Sequence, residues 1–307
     1  MEPGSQPVIA VSGRTLPEAW QKTMLALYER GCSTPTSFDR AGDPESKDAT
    51  VLVTVEEPFA EPRLHKKAIP AGLEELEIYR LEVVAGVHDH WVNRFGEEWN
   101  YTYHERLRAY DAGDGKKVDQ IETMVSQIYA AEDLYRRRFQ VVTWIPSVDP
   151  HIIDPPCLQR IHVRLLPAGD DAWTLNMNSD WRSRDGYKAW FMNVFALTDL
   201  QRLLAREISE RRGVEVRVGR YCDKSDSLHI YGKDLEGIGG FSGFLEQLRS
   251  KSLDELTWDS RQMQEIFVEA RHRLAAMLEA ERRGLGRNVL PPDVDVKSFP
   301  YPPEWDR

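Results

Sequence analysis

Apolar and polar positions along the chain alternate in two rhythms, and both are present from the start. Residues 7–12 are short, apolar and β-branched, which predicts a strand, and Gly13-Arg14-Thr15 leads into a helix with Pro17 in its first turn, where no N–H is required. Trp20, Met24, Leu27 and Tyr28 share one face of that helix, and Gly31 stops it. Residues 33–49, rich in Ser, Thr, Asp, Gly and Pro, predict a loop before a strand at 51–55. A further loop runs through Pro70, 72–85 has helical composition, and 86–101 carries His88, His90, Trp91, Trp99 and Tyr101 without clear periodicity.

Val118, Ile121, Val125 and Ile128 predict an amphipathic helix over 118–131, followed by a strand at 139–145. Strands are expected at 158–166 and 173–177, joined by a turn containing Gly169-Asp170-Asp171. Val194, Leu197, Leu200, Leu204 and Ile208 predict a long buried helix ending before Gly213, and 214–218 and 227–231 read as two more strands. Met263, Phe267, Ala270, Leu274 and Met277 mark the most periodic helix, over 259–283, closed by Gly284. Neither a repeat nor a linker divides the chain. The pattern predicts mixed α and β in one domain over 1–285, and an extended Pro-rich tail over 286–307.

Composition narrows the function classes. With 307 residues, 41% of them apolar, the chain can bury a sizeable core. A formal charge of -10 disfavours nonspecific adhesion to nucleic acid or anionic lipid, so a phosphate ligand would have to be held by local arginines. No stretch has the apolar length of a membrane span and the N-terminus lacks a secretory pattern, which together read as cytoplasmic. Cys32, Cys157 and Cys222 are odd in number and far apart, so neither a disulfide framework nor a zinc site is suggested.

Candidate chemistry lies where loops meet strands. In Asp154-Pro155-Pro156-Cys157-Leu158, two prolines fix the backbone as it enters a strand, so Cys157 is either a buried small apolar residue or a nucleophile whose thiolate needs a neighbouring cation. Arg136-Arg137-Arg138 and Arg182-Ser183-Arg184 abut strands and are either solvated faces or phosphate clamps. His229-Ile230-Tyr231 alternates so that both polar side chains face one side, as two hydroxyl-binding groups would, or as a satisfied buried pair. His88-Asp89-His90 has no third ligand, and no metal is expected.

Together these segments resemble the thymidylate synthase superfamily, especially the archaeal-type synthases, and the pyrimidine nucleotide (CMP/dCMP) 5-hydroxymethylases of the same fold. The matching pieces are Tyr101-Thr102-Tyr103-His104-Glu105-Arg106-Leu107, Asp119-Gln120-Ile121, Arg137-Arg138 with Trp144, Pro155-Pro156-Cys157, Arg182-Ser183-Arg184-Asp185, Asn193 and His229-Ile230-Tyr231. They span about Arg14 to Tyr231. The resemblance implies an α+β catalytic domain with a large mixed sheet flanked by helices, packed through a sheet face in a homodimer, with 5,10-methylenetetrahydrofolate as one-carbon donor to C5 of a pyrimidine nucleoside monophosphate. It implies that Cys157 adds to C6 of the pyrimidine and that Arg182 holds phosphate and favours the thiolate. Arg14, Arg137, Arg138 and Ser183 would serve the phosphate, Arg137 and Arg138 reaching the partner's site, and His229 and Tyr231 would hold sugar hydroxyls. Asp185 would sit at the pyrimidine and folate end, Tyr103 in proton transfer at C5, and Asn193 at the base edge. Glu82 takes the general acid/base position, with Glu77 as the fallback.

The final step decides the product: hydride gives a methyl group, water a hydroxymethyl group. Asn193 permits either base, because its amide offers one donor and one acceptor in either orientation. Trp181, Ala189, Met192 and a tail ending Pro303-Glu304-Trp305-Asp306-Arg307 depart from the synthase pattern, whose apolar end closes over the folate. The expectation is therefore 5-hydroxymethylation of CMP or dCMP, as in enzymes supplying hydroxymethylcytosine to nucleoside antibiotics or phage DNA. The alternatives are methylation of dUMP and a catalytically idle nucleotide- or RNA-binding paralogue; binding to nucleic acid or membrane is not expected.

Overall fold

A computed structural model describes residues 4–113, 115–169, 171–236 and 240–307. Strand β1 (Val8–Gly13) leads into helix α1 (Leu16–Arg30), capped by the Thr15 hydroxyl, which accepts from the Glu18 N–H. Strands β2 (Cys32–Thr34), β3 (Ser46–Val55) and β4 (Leu64–His65) precede helix α2 (Leu73–Ala85). Then come α3 (Tyr103–Arg108), the hairpin β5 (Tyr110–Asp111) and β6 (Lys117–Val118), α4 (Gln120–Ala130) and β7 (Gln140–Val142). The second half runs β8 (Leu158–Pro167), β9 (Ala172–Trp181), β10 (Arg184–Asp185), α5 (Trp190–Arg212), β11 (Glu215–Ile230), α6 (Gly232–Leu235), α7 (Phe241–Ser250), β12 (Thr257–Trp258) and α8 (Gln264–Arg282).

The main sheet runs β1-β3-β11-β9-β8-β7, with β2 added beside β3 and β10 beside β11. It is mixed: β1 is parallel to β3 and β11 to β9, while β3 with β11, β9 with β8 and β8 with β7 are antiparallel. One face is apolar and packs on the helices, with Val51, Val53, Val55, Ile161, Val163, Leu175 and Met177 buried against Trp20, Leu27, Trp190, Val194 and Leu197. On the other face the register lines up Ser12, Thr54, Cys222, Asn178, His162 and Gln140, and next to them Ala10, Leu52, Lys224, Asp180, Arg160 and Val142. Leu52 on that face is 44% exposed.

Two predicted strands, 214–218 and 227–231, are the ends of the single long β11. The stretch between them shows no apolar alternation because its outer row, Arg220, Cys222 and Lys224, faces the polar side, and its inner row buries Asp223 and Ser225 against Arg184. Register shifts between Val218 and Tyr221 and between Ser225 and Leu228 bend the strand. At the first shift a Cβ on Gly219 would lie 2.5 Å from the Thr174 methyl, so the close approach there requires glycine. The predicted loop 33–49 contains β2 and the start of β3, whose polar side chains carry no apolar alternation. The helix expected over 259–283 begins at Gln264 after a 3-10 turn, Ser260–Met263. Asp170, placed in a predicted turn, lies outside the described residues.

The tail, 286–307, is coil with two 3-10 turns, Val296–Ser298 and Pro303–Asp306, and its end is packed down rather than free. Trp305 is 6% exposed and sits with Ile78, Leu81, Val87, Leu274 and Ala275. Its carbonyl accepts from Arg80 Nη2 at 2.6 Å, and Asp306 pairs with Arg271 at 2.5 Å.

Candidate functional site

A cleft of about 750 Å³ opens between α2, the 97–103 segment, the start of β8, β10 and the end of β11. Cys157, Glu82, Tyr103, Asp185, Ser183, Asn193, His229 and Tyr231 all line it, although they come from six separate stretches of chain. Sheet pairing does much of this gathering. β10 pairs with β11 so that Asp185 stands beside His229, and the Arg182 N–H donates to the Cys157 carbonyl at 3.0 Å. Trp20 of α1 donates its indole N–H to the Gly186 carbonyl at 3.1 Å, which fixes the turn after Asp185.

Cys157 is half-buried at the cleft wall. Arg182 lies against the preceding prolines, donating from Nε to the Pro156 carbonyl at 3.0 Å and from Nη2 to the Pro155 carbonyl at 2.5 Å. Burial pushes the thiol up from the ordinary cysteine value; Arg182 and Arg184 pull it down, and Asp154 pushes it up further. The expectation that Arg182 favours the thiolate holds in direction but is outweighed: the resting thiol is harder to ionise than a free one, because the desolvation of the anion exceeds the attraction of the guanidinium groups.

Burial likewise raises the neighbouring Asp185 carboxyl and the cleft's tyrosine hydroxyls. Burial raises the Asp185 carboxyl, against N–H donation from Lys188, the largest opposing influence, and the charge of His229. The amides of Tyr187 and Lys188 both donate to its Oδ1 at 2.9 Å. Burial, then the adjacent Tyr101, pushes the Tyr103 hydroxyl well above the ordinary tyrosine range. Tyr231 is pushed up to about 12, first by burial and then by Asp185. The rings of His229 and Tyr231 lie 4.4 Å apart on one side of the chain, and His229 Nε2 is buried with no partner among the described residues. Asn193 donates from Nδ2 to the Tyr79 hydroxyl at 2.5 Å.

Glu82 and its fallback Glu77 are separated by the turn of α2. Glu82 lines the cleft, whereas Glu77 is buried on the opposite side of the helix, chelated by Arg80 at 2.7 and 2.8 Å and by Arg271 at 2.6 Å. Glu77 is therefore committed to an ion-pair network and has no access to the cleft. Arg14 pairs with Glu57 at 3.1 Å outside the cleft, and Arg137 and Arg138 line a separate basic depression with Tyr135, Arg136 and Arg164. No cluster of three or more His, Cys, Asp or Glu side chains with metal-binding geometry occurs among the described residues.

Several cleft residues had no assigned role in the sequence. Tyr79 lies three positions before Glu82 on the same face of α2, a spacing that could have flagged it. Arg184 is buried beneath the cleft wall, its guanidinium 4.1 Å from the Trp181 ring centroid and 2.7 Å from Asp223. Trp99, Tyr101 and Asp154 add aromatic and acidic wall. Trp181, noted only as a departure, is thus the stacking surface for Arg184.

The Thymidylate synthase family model matches residues 75–268, more than half of the chain. A protein of Methanococcoides burtonii named "Putative thymidylate synthase" is 25% identical over 228 residues, 74% of this chain and 92% of its own length. The thymidylate synthase of Buchnera aphidicola is 24% identical over 159 residues, 52% of this chain and 54% of its own length. Among solved structures, the thermostable thymidylate synthase A of Bacillus subtilis has the same fold, with a TM-score of 0.55, 17% identity, and coverage of 78% of this chain and 85% of that one. No helix among the described residues is long and apolar enough to cross a membrane. With the cleft, the mixed sheet and the family match in agreement, the chain belongs to the thymidylate synthase family and is a folate-dependent one-carbon transferase that uses 5,10-methylenetetrahydrofolate.

Proposed function

We propose that the protein hydroxymethylates C5 of CMP or dCMP, and that water rather than hydride completes the reaction. What carries this reading is the anchorage of the tail. Residues 299–306 are fastened to the side of α2 that bears Ile78, Arg80 and Leu81, opposite the side that bears Tyr79, Glu82 and Val83 on the cleft. A tail held there by a buried Trp305 is not the cover that a synthase draws over its folate, and the cleft stays open to water.

The cleft suits both ligands: its volume lies in the upper part of the roughly 300–1,000 Å³ range of ligand pockets. Trp99, Val83 and Ala189 offer flat apolar wall for a folate ring, with the Asp185 carboxyl as a polar partner at that end. When bound, methylenetetrahydrofolate supplies the one-carbon unit at the formaldehyde oxidation level. In this reading the Cys157 sulfur forms a bond to C6, and the electron pair of the C5=C6 bond becomes available at C5. Because the resting thiol is raised, the negative substrate phosphate is best held apart from it by Arg182 and Ser183, leaving Arg184 as the cation behind the sulfur. Tyr103, neutral and hydrogen-bonded by the Leu158 N–H at 3.4 Å, relays the C5 proton, and Glu82 accepts and returns protons at the base. Asn193 reads the base edge and His229 and Tyr231 the sugar hydroxyls. Once C5 carries the one-carbon unit, with its proton passed to the base and tetrahydrofolate released, water would add to the exocyclic carbon as the Cys157–C6 bond breaks, and the C5=C6 double bond re-forms.

A second copy completes the site. The helix-free sheet face packs in the homodimer, bringing Arg137 and Arg138, which lie outside this chain's own cleft, to the partner's phosphate. The deciding experiment incubates the protein with methylenetetrahydrofolate and each of CMP, dCMP, UMP and dUMP, then weighs the nucleotide. A gain of CH2O on a cytidylate supports the proposal. A gain of CH2 on dUMP, with dihydrofolate formed, replaces it by thymidylate synthesis, and nucleotide binding without turnover by the idle paralogue.

A further inference from the structure

The chain leaving α2 folds back so that a histidine lies directly behind Glu82. His88 Nδ1 is 2.7 Å from Glu82 Oε1. Its ring is buried, stacked on Trp91 at 3.8 Å and 7°, and met edge-on by Trp99 at 5.4 Å. Trp91 is itself fixed, since its indole N–H donates to the Glu281 carboxylate of α8 at 2.7 and 2.9 Å. The turn that makes this possible is Gly86, at φ 64°, where an added Cβ would lie 2.2 Å from the His104 ring.

The proton inventory of this contact is fixed by chemistry. An ionised carboxylate only accepts, so the proton of the contact is on His88 Nδ1. Nε2 is buried with no partner among the described residues, and a second proton there would put a charged N–H without an acceptor inside an aromatic box. The tautomer that suits both contacts carries its hydrogen on Nδ1. Among the described residues no side chain or amide donates to the other oxygen of Glu82, which is left to the cleft.

From this geometry we infer that His88 is a positioning residue for Glu82: it pins one carboxylate oxygen and aims the second oxygen at the pyrimidine. The inference rests on the reading of Glu82 as the acid/base group. The Trp91 stack supplies the rigidity, so that the carboxylate does not swing when it gains or loses a proton. Neither His90, which contacts Glu281 at 3.2 Å, nor Asp89, which takes His104 at 2.6 Å, competes for Glu82.

Three variants of the full-length protein test it: His88→Phe keeps an aromatic ring for Trp91 without a donor, His88→Asn keeps a donor near the Nδ1 position, and Glu82→Gln removes the base. The expected result is a kcat loss on the order of 10²-fold for His88→Phe, with KM for the nucleotide nearly unchanged. His88→Asn should recover most of it, and His88→Phe should add little in the Glu82→Gln background. Nitrogen NMR of histidine-labelled wild-type protein should show His88 protonated at Nδ1 alone. Wild-type kcat for His88→Phe beside an impaired Glu82→Gln overturns the role of His88 only, as does an Nε2–H tautomer. Wild-type kcat for Glu82→Gln overturns the underlying reading of the base, whatever His88 does.

Discussion

The sharpest energetic test is the ion pair between Arg184 and Asp223, because it is sealed from water and still sits beneath the reactive cysteine. The two side chains are 1% and 0% exposed and touch at 2.7 Å, while Arg184 Nη2 donates to Ser225 at 3.0 Å. Burial pushes the Asp223 carboxyl up from its ordinary value even though Arg184 opposes it, so desolvation outweighs the attraction of the partner.

Asp223→Asn strands the Arg184 charge with no counter-ion, and breaking a buried pair in this way costs about 3–5 kcal/mol. For a chain of this length, at about 2 cal/mol/K per residue of unfolding entropy, that is roughly a 5–8 °C fall in Tm. The double variant Arg184→Met with Asp223→Leu removes both charges and keeps apolar volume, and should recover most of the loss. Calorimetry of Arg184→Met, of Asp223→Leu and of the double variant closes the cycle. A loss below about 1 kcal/mol for Asp223→Asn, or a double variant no better than the worse single one, would refute the claim that the pair is held together by mutual need rather than by net attraction.

Other outcomes follow from the same geometry. Alkylation of Cys157 should rise with pH to a midpoint above that of a free cysteine, and Arg182→Gln should move it higher still, since Arg182 is the largest influence lowering the thiol; mass-resolved iodoacetamide kinetics reads both. Trp305→Ala should weaken tail docking by about 3–5 kcal/mol, seen as at least a hundredfold faster proteolysis within 286–307. Mixing a Cys157→Ala variant with an Arg137→Ala, Arg138→Ala variant should restore turnover that neither shows alone if each site borrows arginines from the partner; no recovery under conditions where subunits exchange would remove the shared-site proposal.

Much of the fold was legible because its helices are strongly periodic: α1, α4 and α5 lie close to where Trp20 and Met24, Ile121 and Val125, and Val194 through Ile208 place them. What escaped was polar burial. The middle of β11 hides Asp223 and Ser225 inside a core, and periodicity cannot announce a buried charge whose partner, Arg184, is distant in sequence. The cleft was legible as motifs, since Cys157, Ser183, Asp185, His229 and Tyr231 sit at strand ends that the resemblance had already singled out. The helix behind them was less so, and only the three-dimensional turn of α2 separates Glu82 from Glu77. His88 was weighed only as a metal ligand, and set aside, because the carboxylate it touches lies one helical exit upstream.

The central strand also constrains how the chain reaches this state. β11 joins β3, pairing Tyr221 with Val55, to β9, pairing Tyr221 with Met177, so the middle of the sheet is assembled from segments emitted at the beginning and late in synthesis. Such distant closure is slow. Until it occurs, the apolar edge of β3 has no neighbour on that side, and the pocket that needs His229 beside Asp185 does not exist. A nascent or truncated chain ending before β11 should therefore be inert and prone to self-association through that edge.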